Sequence, residues 1–172
     1  ATSGTTEAPT SYPKTGREVH EALAENGVEF LLLQFTDITG HNKNVEVPKS
    51  QFEKAVDGQM LFDGSSIQGF VRIEESDMVL VPDFETFRVL PWEEKRHGRV
   101  ARLICDVHHP DGKPFEGCPR LTLKRQVDRA KQLGYTIVVG PEAEFFLFHR
   151  NENGAATTST HDHAGYFDLA PV

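Results

Sequence analysis

A pair of acids inside an apolar run constrains this 172-residue chain more than any other feature: IVVGPEAEFFLF at residues 137–148. The run predicts a buried strand. Side chains alternate between the two faces of a strand, so Glu142 and Glu144 would point the same way, about 6.5 Å apart. A buried carboxylate must be paired, protonated or bound to metal. The two acids could therefore each bind one of two neighbouring divalent ions.

The alternative is an edge strand or a half-exposed strand whose acids are solvated. Charged residues are seldom fully buried, which favours this alternative for an isolated pair of acids. The sequence FFLF at residues 145–148 leaves no polar face beyond the acids, so a half-exposed strand would show aromatic rings to water. We therefore favour the buried strand.

Composition excludes two classes of partner. The formal charge of −8 and the lack of any basic cluster longer than two residues argue against nucleic acid. No apolar run approaches the roughly 20 residues of a membrane helix, and the N-terminal residues lack the apolar core of a signal peptide. We expect a cytoplasmic protein that binds neither membranes nor nucleic acid.

Cysteine and histidine spacing gives weak metal signals. Cys105 and Cys118 form no C-x-x-C motif, so both are predicted to be reduced and structural. His161 and His163 flank an aspartate in a polar loop, which suggests a metal pair. No cysteine or histidine lies at ligand spacing from them, and we interpret both as solvated. Residues 157–163 receive no function.

The first part of the chain predicts an α+β unit over residues 16–112. Residues 1–15 have almost nothing to bury and predict a flexible tail. Thr15 and Glu18 form a capping-box signal for a helix that Gly27 ends. Residues 28–35 are nearly all apolar and predict a strand covered on both faces, paired as a hairpin with an exposed strand over residues 43–47. Pro48 suits the start of a short helix, and three further strands are predicted over residues 78–83, 87–90 and 101–107.

The character of the chain changes after Pro119. Leu123, Val127 and Ala130 lie at helical spacing, and Gly134 is a stop signal. The acidic strand follows directly, and then a polar loop. A helix, one strand and an apolar tail cannot enclose a core, so residues 113–172 predict an incomplete second domain.

A loop with apolar edges, MLFDGSSIQGF, occupies residues 60–70. Asp-Gly is a turn signal, and the simplest interpretation is a tight turn whose serines satisfy backbone amides. The flanks Phe62, Ile67 and Phe70 are more apolar than a plain solvated turn needs.

Four motifs taken together carry a family resemblance. FDGSSI at residues 62–67, FVRIEESDM at 70–78, GPEAEFFLF at 140–148 and GYF at 165–167 closely resemble glutamine synthetase of the prokaryotic type I class, alpha-like subgroup. Their order and spacing agree over residues 16–172. Family members are more than twice as long, so the resemblance implies a truncated N-terminal portion. It also implies a β-grasp domain, followed by the start of a catalytic domain built on a curved antiparallel sheet with helices.

The resemblance implies an ATP-dependent ligase that joins ammonia to glutamate through γ-glutamyl phosphate. Glu144 would bind a first divalent ion near glutamate, and Glu142 a second near the ATP phosphates. Hard oxygen ligands suit Mg²⁺ or Mn²⁺ rather than zinc. Asp63 would be catalytic, because it would bind ammonium and accept its proton. Ser66 would form a polar wall of the ammonium pocket, and the Tyr166 hydroxyl would line it.

The resemblance also implies assembly and regulation. Family members form a dodecamer of two stacked rings, in which the loop at residues 62–67 enters the active site of the adjacent subunit. The resemblance thus implies that the apolar flanks Phe62, Ile67 and Phe70 pack against that neighbour. Arg72 resembles the residue through which glutamine inhibits the alpha-like subgroup. Two alternatives stay open: a truncated non-catalytic subunit that binds or modulates full-length subunits, and a ligase that joins glutamate to another amine. Asp63 favours ammonia, because a small anionic pocket suits a small cation.

Overall fold

The computed structural model describes residues 12–67, 76–92 and 98–169. Most of the predicted tail lies outside these ranges, and so does Arg72. The chain divides into two compact units between Tyr135 and Thr136. Each unit is described by itself.

The first unit is built on a mixed five-stranded sheet with the spatial order β2-β1-β5-β4-β3. β1 and β5 are parallel, and all other neighbouring strands are antiparallel. The predicted hairpin of β1 and β2 is confirmed. The strands are β1 (Val28–Thr36), β2 (Asn42–Pro48), β3 (Met60–Asp63), β4 (Asp77–Val89) and β5 (Arg99–His108).

The first helix, α1 (Gly16–Glu25), begins where the capping signal predicts. The Thr15 hydroxyl accepts a hydrogen bond from the Glu18 N–H at 3.2 Å, and the Glu18 carboxylate accepts one from the Lys14 N–H at 2.6 Å. Gly27 follows the helix with φ of +59°, a backbone conformation that favours glycine. Both ends of the helix are therefore set by local sequence.

Two more helices belong to this unit. A single 3₁₀ turn, Lys49–Gln51, leads into the short α2 (Phe52–Val56). The helix predicted after Pro119 is confirmed as α3 (Pro119–Gln132), but its predicted apolar face is not buried. Leu123 is exposed, and Leu121 is the α3 residue that packs against the core. Leu121 sits one turn before Lys124, so the inward face is mixed rather than apolar.

The core lies on one face of the sheet, under α1 and α2. In β1 the side chains of Leu31, Leu33 and Phe35 are buried, whereas Leu32 and Gln34 are only partly buried. The prediction that β1 is covered on both faces is therefore wrong. Both core helices lie on the same side of the sheet, and they contribute Val19, Leu23, Phe52, Ala55 and Val56 to the core.

β4 is one bent strand instead of the two that were predicted. Its register with β5 shifts between Asp83 and Arg88, which marks a bulge. The Thr86 hydroxyl donates to the Asp83 carbonyl at 2.6 Å and accepts from the Ile104 N–H at 2.8 Å. This side chain replaces a missing ladder bond, so the strand continues through the bulge.

Ion pairs join the second face of the sheet to the start of α3. The Arg120 guanidinium donates to Asp83 at 2.5 Å and to Asp106 at 2.7 Å, and the Lys124 ammonium donates to Asp106 at 2.6 Å. Partial burial alone would raise the pKa of Asp83. The hydrogen bond and charge of Arg120 outweigh burial and hold that pKa below its usual range.

The second unit has no core among its described residues. Residues 136–149 form no strand, and the aromatic side chains of the run are exposed, Phe146 by 81%. The prediction of a buried strand over residues 137–148 is therefore wrong for this chain. A strand needs a ladder partner, and the pairing recorded in the described part of this unit is one isolated bridge between Arg150 and Ala156.

Within the described ranges, no helix combines the length and the apolar character needed to cross a bilayer.

Candidate active site

The Asp63 loop begins where β3 ends and forms one 3₁₀ turn, Gly64–Ser66. The Asp63 Oδ1 atom accepts from the Ser65 N–H at 2.9 Å and from the Ser65 hydroxyl at 2.6 Å. Its Oδ2 atom accepts from the Ser66 hydroxyl at 3.0 Å. The predicted turn is confirmed, but the serines do not satisfy its amides. The Asp63 carboxylate does so, and both serines donate to it.

These donors make Asp63 a stable anion. The Ser65 hydroxyl, followed by the Ser66 hydroxyl, lowers the pKa of Asp63 from its ordinary value, because both hydrogen bonds favour the charged form. The residue is exposed at the end of β3. The loop therefore presents an ionised, oriented carboxylate to solvent.

A second acid lies beside the loop. Asp77 is directly opposite Asp63 in the antiparallel ladder, and the Gly64 N–H donates to the Ser76 carbonyl at 2.7 Å. Residues in opposite positions of a ladder share one face of the sheet. Asp77 was not predicted to lie beside Asp63, because the register of two strands that are separated by a long loop cannot be read from either strand.

The apolar flanks of the loop pack within the same chain. The Phe62 ring lies 4.8 Å from the Phe35 ring, and Ile67 packs against the core. Phe62 and Ile67 are only partly buried by these contacts, so their packing against a neighbouring molecule stays a prediction. Phe70 lies outside the described residues. Leu61 is the large apolar residue of β3 that stays exposed.

The second unit brings together two of the predicted site residues. The Tyr166 hydroxyl donates to the Glu144 Oε1 atom at 2.8 Å. This hydrogen bond, and to a lesser extent burial, raises the pKa of Tyr166, so the phenol stays neutral at physiological pH. Glu142 and Glu144 are both exposed, so the burial argument for bound metal does not hold in this chain.

A tight turn holds Tyr166. The Asp168 carboxylate accepts from the Gly165 N–H at 2.6 Å, and Phe167 has φ of +68°, an unusual value for a residue other than glycine. Asp168 was not among the residues predicted from the sequence.

The two glutamates fit divalent ions in donor type. Carboxylate oxygens are the ligands that Mg²⁺ and Mn²⁺ prefer. Within residues 12–67, 76–92 and 98–169, no three His, Cys, Asp or Glu side chains are placed to hold a metal ion together. The other ligands of such an ion would have to come from outside the described part of the chain.

The polar loop of the second unit is held by local hydrogen bonds. The His149 N–H donates to the Ser159 carbonyl at 2.8 Å, and the Thr157 hydroxyl donates to the His149 carbonyl at 2.6 Å. The His161 Nε2 atom lies 2.8 Å from the Asp162 carboxylate. These contacts order the loop and assign no chemistry to it.

Comparisons with known families agree with the arrangement of the chain. A family model described as glutamine synthetase, β-grasp domain, matches residues 27–110. A second, described as glutamine synthetase, catalytic domain, matches residues 116–172.

Curated relatives carry the same name. The chain is 62% identical over 161 residues to a glutamine synthetase of Thermus thermophilus. The matched region covers 92% of this chain and 36% of that protein. It is 60% identical over 158 residues to one of Clostridium saccharobutylicum, covering 92% of this chain and 35% of that protein. The chain thus spans about a third of the length of these relatives.

Solved structures share the fold. A structure titled GmaS/ADP complex is 32% identical, with a TM-score of 0.58 over 66% of this chain and 25% of that chain. The cryo-EM glutamine synthetase of Plasmodium falciparum has a TM-score of 0.64 over 74% of this chain and 24% of that chain, and its 23% identity supports the fold alone. The chain therefore belongs to the glutamine synthetase family, of which it contains the β-grasp domain and the beginning of the catalytic domain.

Proposed function

We propose that this chain is part of an ATP-dependent ligase that joins ammonia to glutamate to form glutamine. The observation that carries the proposal is 62% identity to a relative named glutamine synthetase over 92% of this chain. The chain corresponds to 36% of that relative, so the activity is proposed for the full-length gene product.

Asp63 is proposed to bind ammonium. The reaction needs ammonia to attack the carbonyl of γ-glutamyl phosphate, so ammonium must first bind and lose a proton. The lowered pKa of Asp63 makes it a strong anionic partner for a cation but a weak base. Asp63 is therefore suited to hold ammonium and to pass its proton onward rather than to keep it.

Ser66 is proposed to support the ammonium site through Asp63. Its hydroxyl donates to the Asp63 Oδ2 atom at 3.0 Å, which fixes the carboxylate. This role differs from a polar wall, because the hydroxyl hydrogen is directed at Asp63 and leaves the serine oxygen with lone pairs for the bound cation.

Glu142 and Glu144 are proposed to bind Mg²⁺ or Mn²⁺, two or more ions per site, with ATP as a substrate. When bound, such ions neutralise charge on the phosphoryl oxygens during transfer from ATP to glutamate. The two glutamates supply oxygen ligands of the required type, and the family match to the catalytic domain begins at residue 116 and includes both.

Assembly and regulation are also part of the proposal. The exposed Asp63 loop is suited to complete the active site of an adjacent subunit in a dodecamer of two stacked rings, which would act in the cytoplasm. Feedback inhibition by glutamine through Arg72 rests on the resemblance alone, because Arg72 lies outside the described residues.

Separating the two half-reactions tests these roles. In the full-length gene product, isotope exchange within ATP reports γ-glutamyl phosphate formation, and glutamine release reports attack by ammonia. Asp63→Ala should reduce glutamine release far more than exchange and raise the KM for ammonium, whereas Glu144→Ala should abolish both and weaken metal binding. Asp57→Ala, at an exposed acid of the same unit, is the control. Equal loss of both half-reactions in Asp63→Ala would contradict the division of roles.

The acceptor is tested by offering methylamine in place of ammonia. A ligase with a small anionic pocket around Asp63 should prefer ammonia. A higher kcat/KM for methylamine would instead support a ligase that joins glutamate to other amines.

A second candidate, left open by the family resemblance, is a non-catalytic subunit that binds or modulates full-length subunits. The chain matches about 36% of its Thermus thermophilus relative. Such a subunit would co-purify with a longer glutamine synthetase and would form no glutamine alone. Sequencing the gene beyond the codon for Val172 separates the candidates, because a continuing reading frame supports the ligase and a stop codon supports the second candidate.

A further inference from the structure

One hydrogen bond in the second unit joins Tyr166 and Glu144, two residues for which separate roles were predicted. The Tyr166 hydroxyl lies 2.8 Å from the Glu144 Oε1 atom, although the residues are 22 positions apart. The Tyr166 side chain is 78% exposed. Close packing therefore does not force the two side chains together.

The backbone of Tyr166 lies in a tight turn. The Gly165 N–H donates to the Asp168 carboxylate at 2.6 Å, and the intervening Phe167 adopts φ of +68°. A tyrosine side chain has two main rotatable bonds and a glutamate side chain has three, so Tyr166 has fewer torsions to fix than Glu144 when the hydrogen bond forms.

We propose that Tyr166 is a positioning residue that holds the Oε1 atom of Glu144 and leaves the Oε2 atom free to bind a divalent ion. This inference rests on the proposed function, in which Glu144 is a metal ligand. Partners that hydrogen-bond to a ligating group fix its orientation and are needed for full metal affinity. Among the described residues, Tyr166 is the side chain that donates to Glu144.

The same hydroxyl can serve the ammonium pocket without breaking this contact. A phenol has one O–H donor, which is used on Glu144, and its oxygen keeps lone pairs that accept hydrogen bonds. Ammonium is only a donor. One oxygen atom would thus accept from ammonium while its hydrogen orients the metal ligand, so the two parts of the site are coupled through Tyr166.

Mn²⁺ binding by the full-length gene product tests the inference. Free Mn²⁺ is measured by electron paramagnetic resonance during titration, in the absence of substrates. We expect Tyr166→Phe to raise the Kd of the tight Mn²⁺ class about tenfold. The line shape of bound Mn²⁺ should also change, which a purely structural role for Tyr166 would not cause. Glu144→Gln should remove that class of site.

Tyr135→Phe is the matched control. Tyr135 is 69% exposed and has no side-chain contact with a carboxylate among the described residues, so its Mn²⁺ Kd should equal that of the wild type. Thermal unfolding of each variant checks the fold, and because the altered side chains are exposed we expect all midpoints to agree.

Two outcomes separate failure of the inference from failure of the proposed function. If Glu144→Gln loses Mn²⁺ but Tyr166→Phe binds it as tightly as the wild type, the positioning role is overturned and the metal role of Glu144 stands. If Glu144→Gln binds Mn²⁺ normally, the proposed metal role fails and the inference fails with it.

Discussion

Arg88 of β4 and Arg102 of β5 lie directly opposite each other in the antiparallel ladder, so two guanidinium groups share one face of the sheet. Burial, followed by the charge of Arg88, lowers the pKa of Arg102. Neither arginine forms an ion pair within the described part of the chain. The Arg102 Nη1 atom contacts the Gln34 Oε1 atom at 3.4 Å, and Arg88 stacks on the Tyr12 ring at 3.5 Å.

Like charges in directly opposite positions repel, so a double-mutant cycle with Arg88→Met and Arg102→Met should give an unfavourable coupling of about 0.5 kcal/mol. Methionine keeps the apolar stem of each side chain and removes the charge. The free energy of unfolding is measured in urea for the four proteins. A favourable coupling between the arginines would contradict the expectation.

Arg120→Met should lower the free energy of unfolding by about 3 kcal/mol. The substitution leaves Asp83 and Asp106, which Arg120 bridges at 2.5 and 2.7 Å, as partly buried carboxylates with Lys124 as their remaining cation. Urea unfolding measures the loss. Arg125→Met on the same helix is the control, because Arg125 donates only to the Thr122 hydroxyl among the described side chains. Equal effects of the two substitutions would show that the bridge contributes little.

Asp37→Asn should flatten the acid dependence of stability. The Thr39 hydroxyl, with the His41 and Thr39 amides, lowers the pKa of buried Asp37 from 3.8 to about 2. A depressed pKa stabilises the folded state above pH 3.8, and this contribution is lost as the pH falls towards 2. Between pH 4.5 and 2, the thermal midpoint of the wild type should therefore fall more steeply than that of the variant. Asp57→Asn is the control, and parallel curves for wild type and Asp37→Asn would contradict the prediction.

Thr15→Ala should destabilise the first unit by about 1 kcal/mol, because it removes the hydroxyl that accepts from the Glu18 N–H. Thr15→Ser retains that hydroxyl and should cost only a few tenths of this value. Urea unfolding of both variants checks the expectation, and a similar loss in the serine variant would point to packing of the threonine methyl group instead.

Local signals predicted much of the β-grasp domain. A cap at Thr15, a stop at Gly27 and the hairpin of β1 with β2 each depend on nearby residues, and each was confirmed. Two features could not be predicted. The parallel pairing of β1 with β5 depends on register between distant segments. The continuity of β4 depends on the Thr86 side chain, which satisfies a ladder partner across the bulge.

The candidate site was predicted unevenly for a related reason. The FDGSSI motif located the Asp63 turn, but only the geometry showed that Ser65 and Ser66 donate to the carboxylate. The apolar run around Glu144 predicted a buried strand, but the spacing of apolar residues does not identify the neighbouring strands that would bury it. The contact of Glu144 with Tyr166 bridges 22 residues, and no spacing rule predicts it.

The position of β5 governs how this domain can be made on a ribosome. β5 is the final strand of the sheet to be synthesised, yet it joins β1 on one side to β4 on the other. A nascent chain that has emerged only as far as Gly98 can form the hairpins of β1 with β2 and of β3 with β4, but no backbone ladder joins the two hairpins. Translation must proceed past His108 before these halves close into one cooperative unit, so the apolar surfaces of both stay open to chaperones and proteases until then.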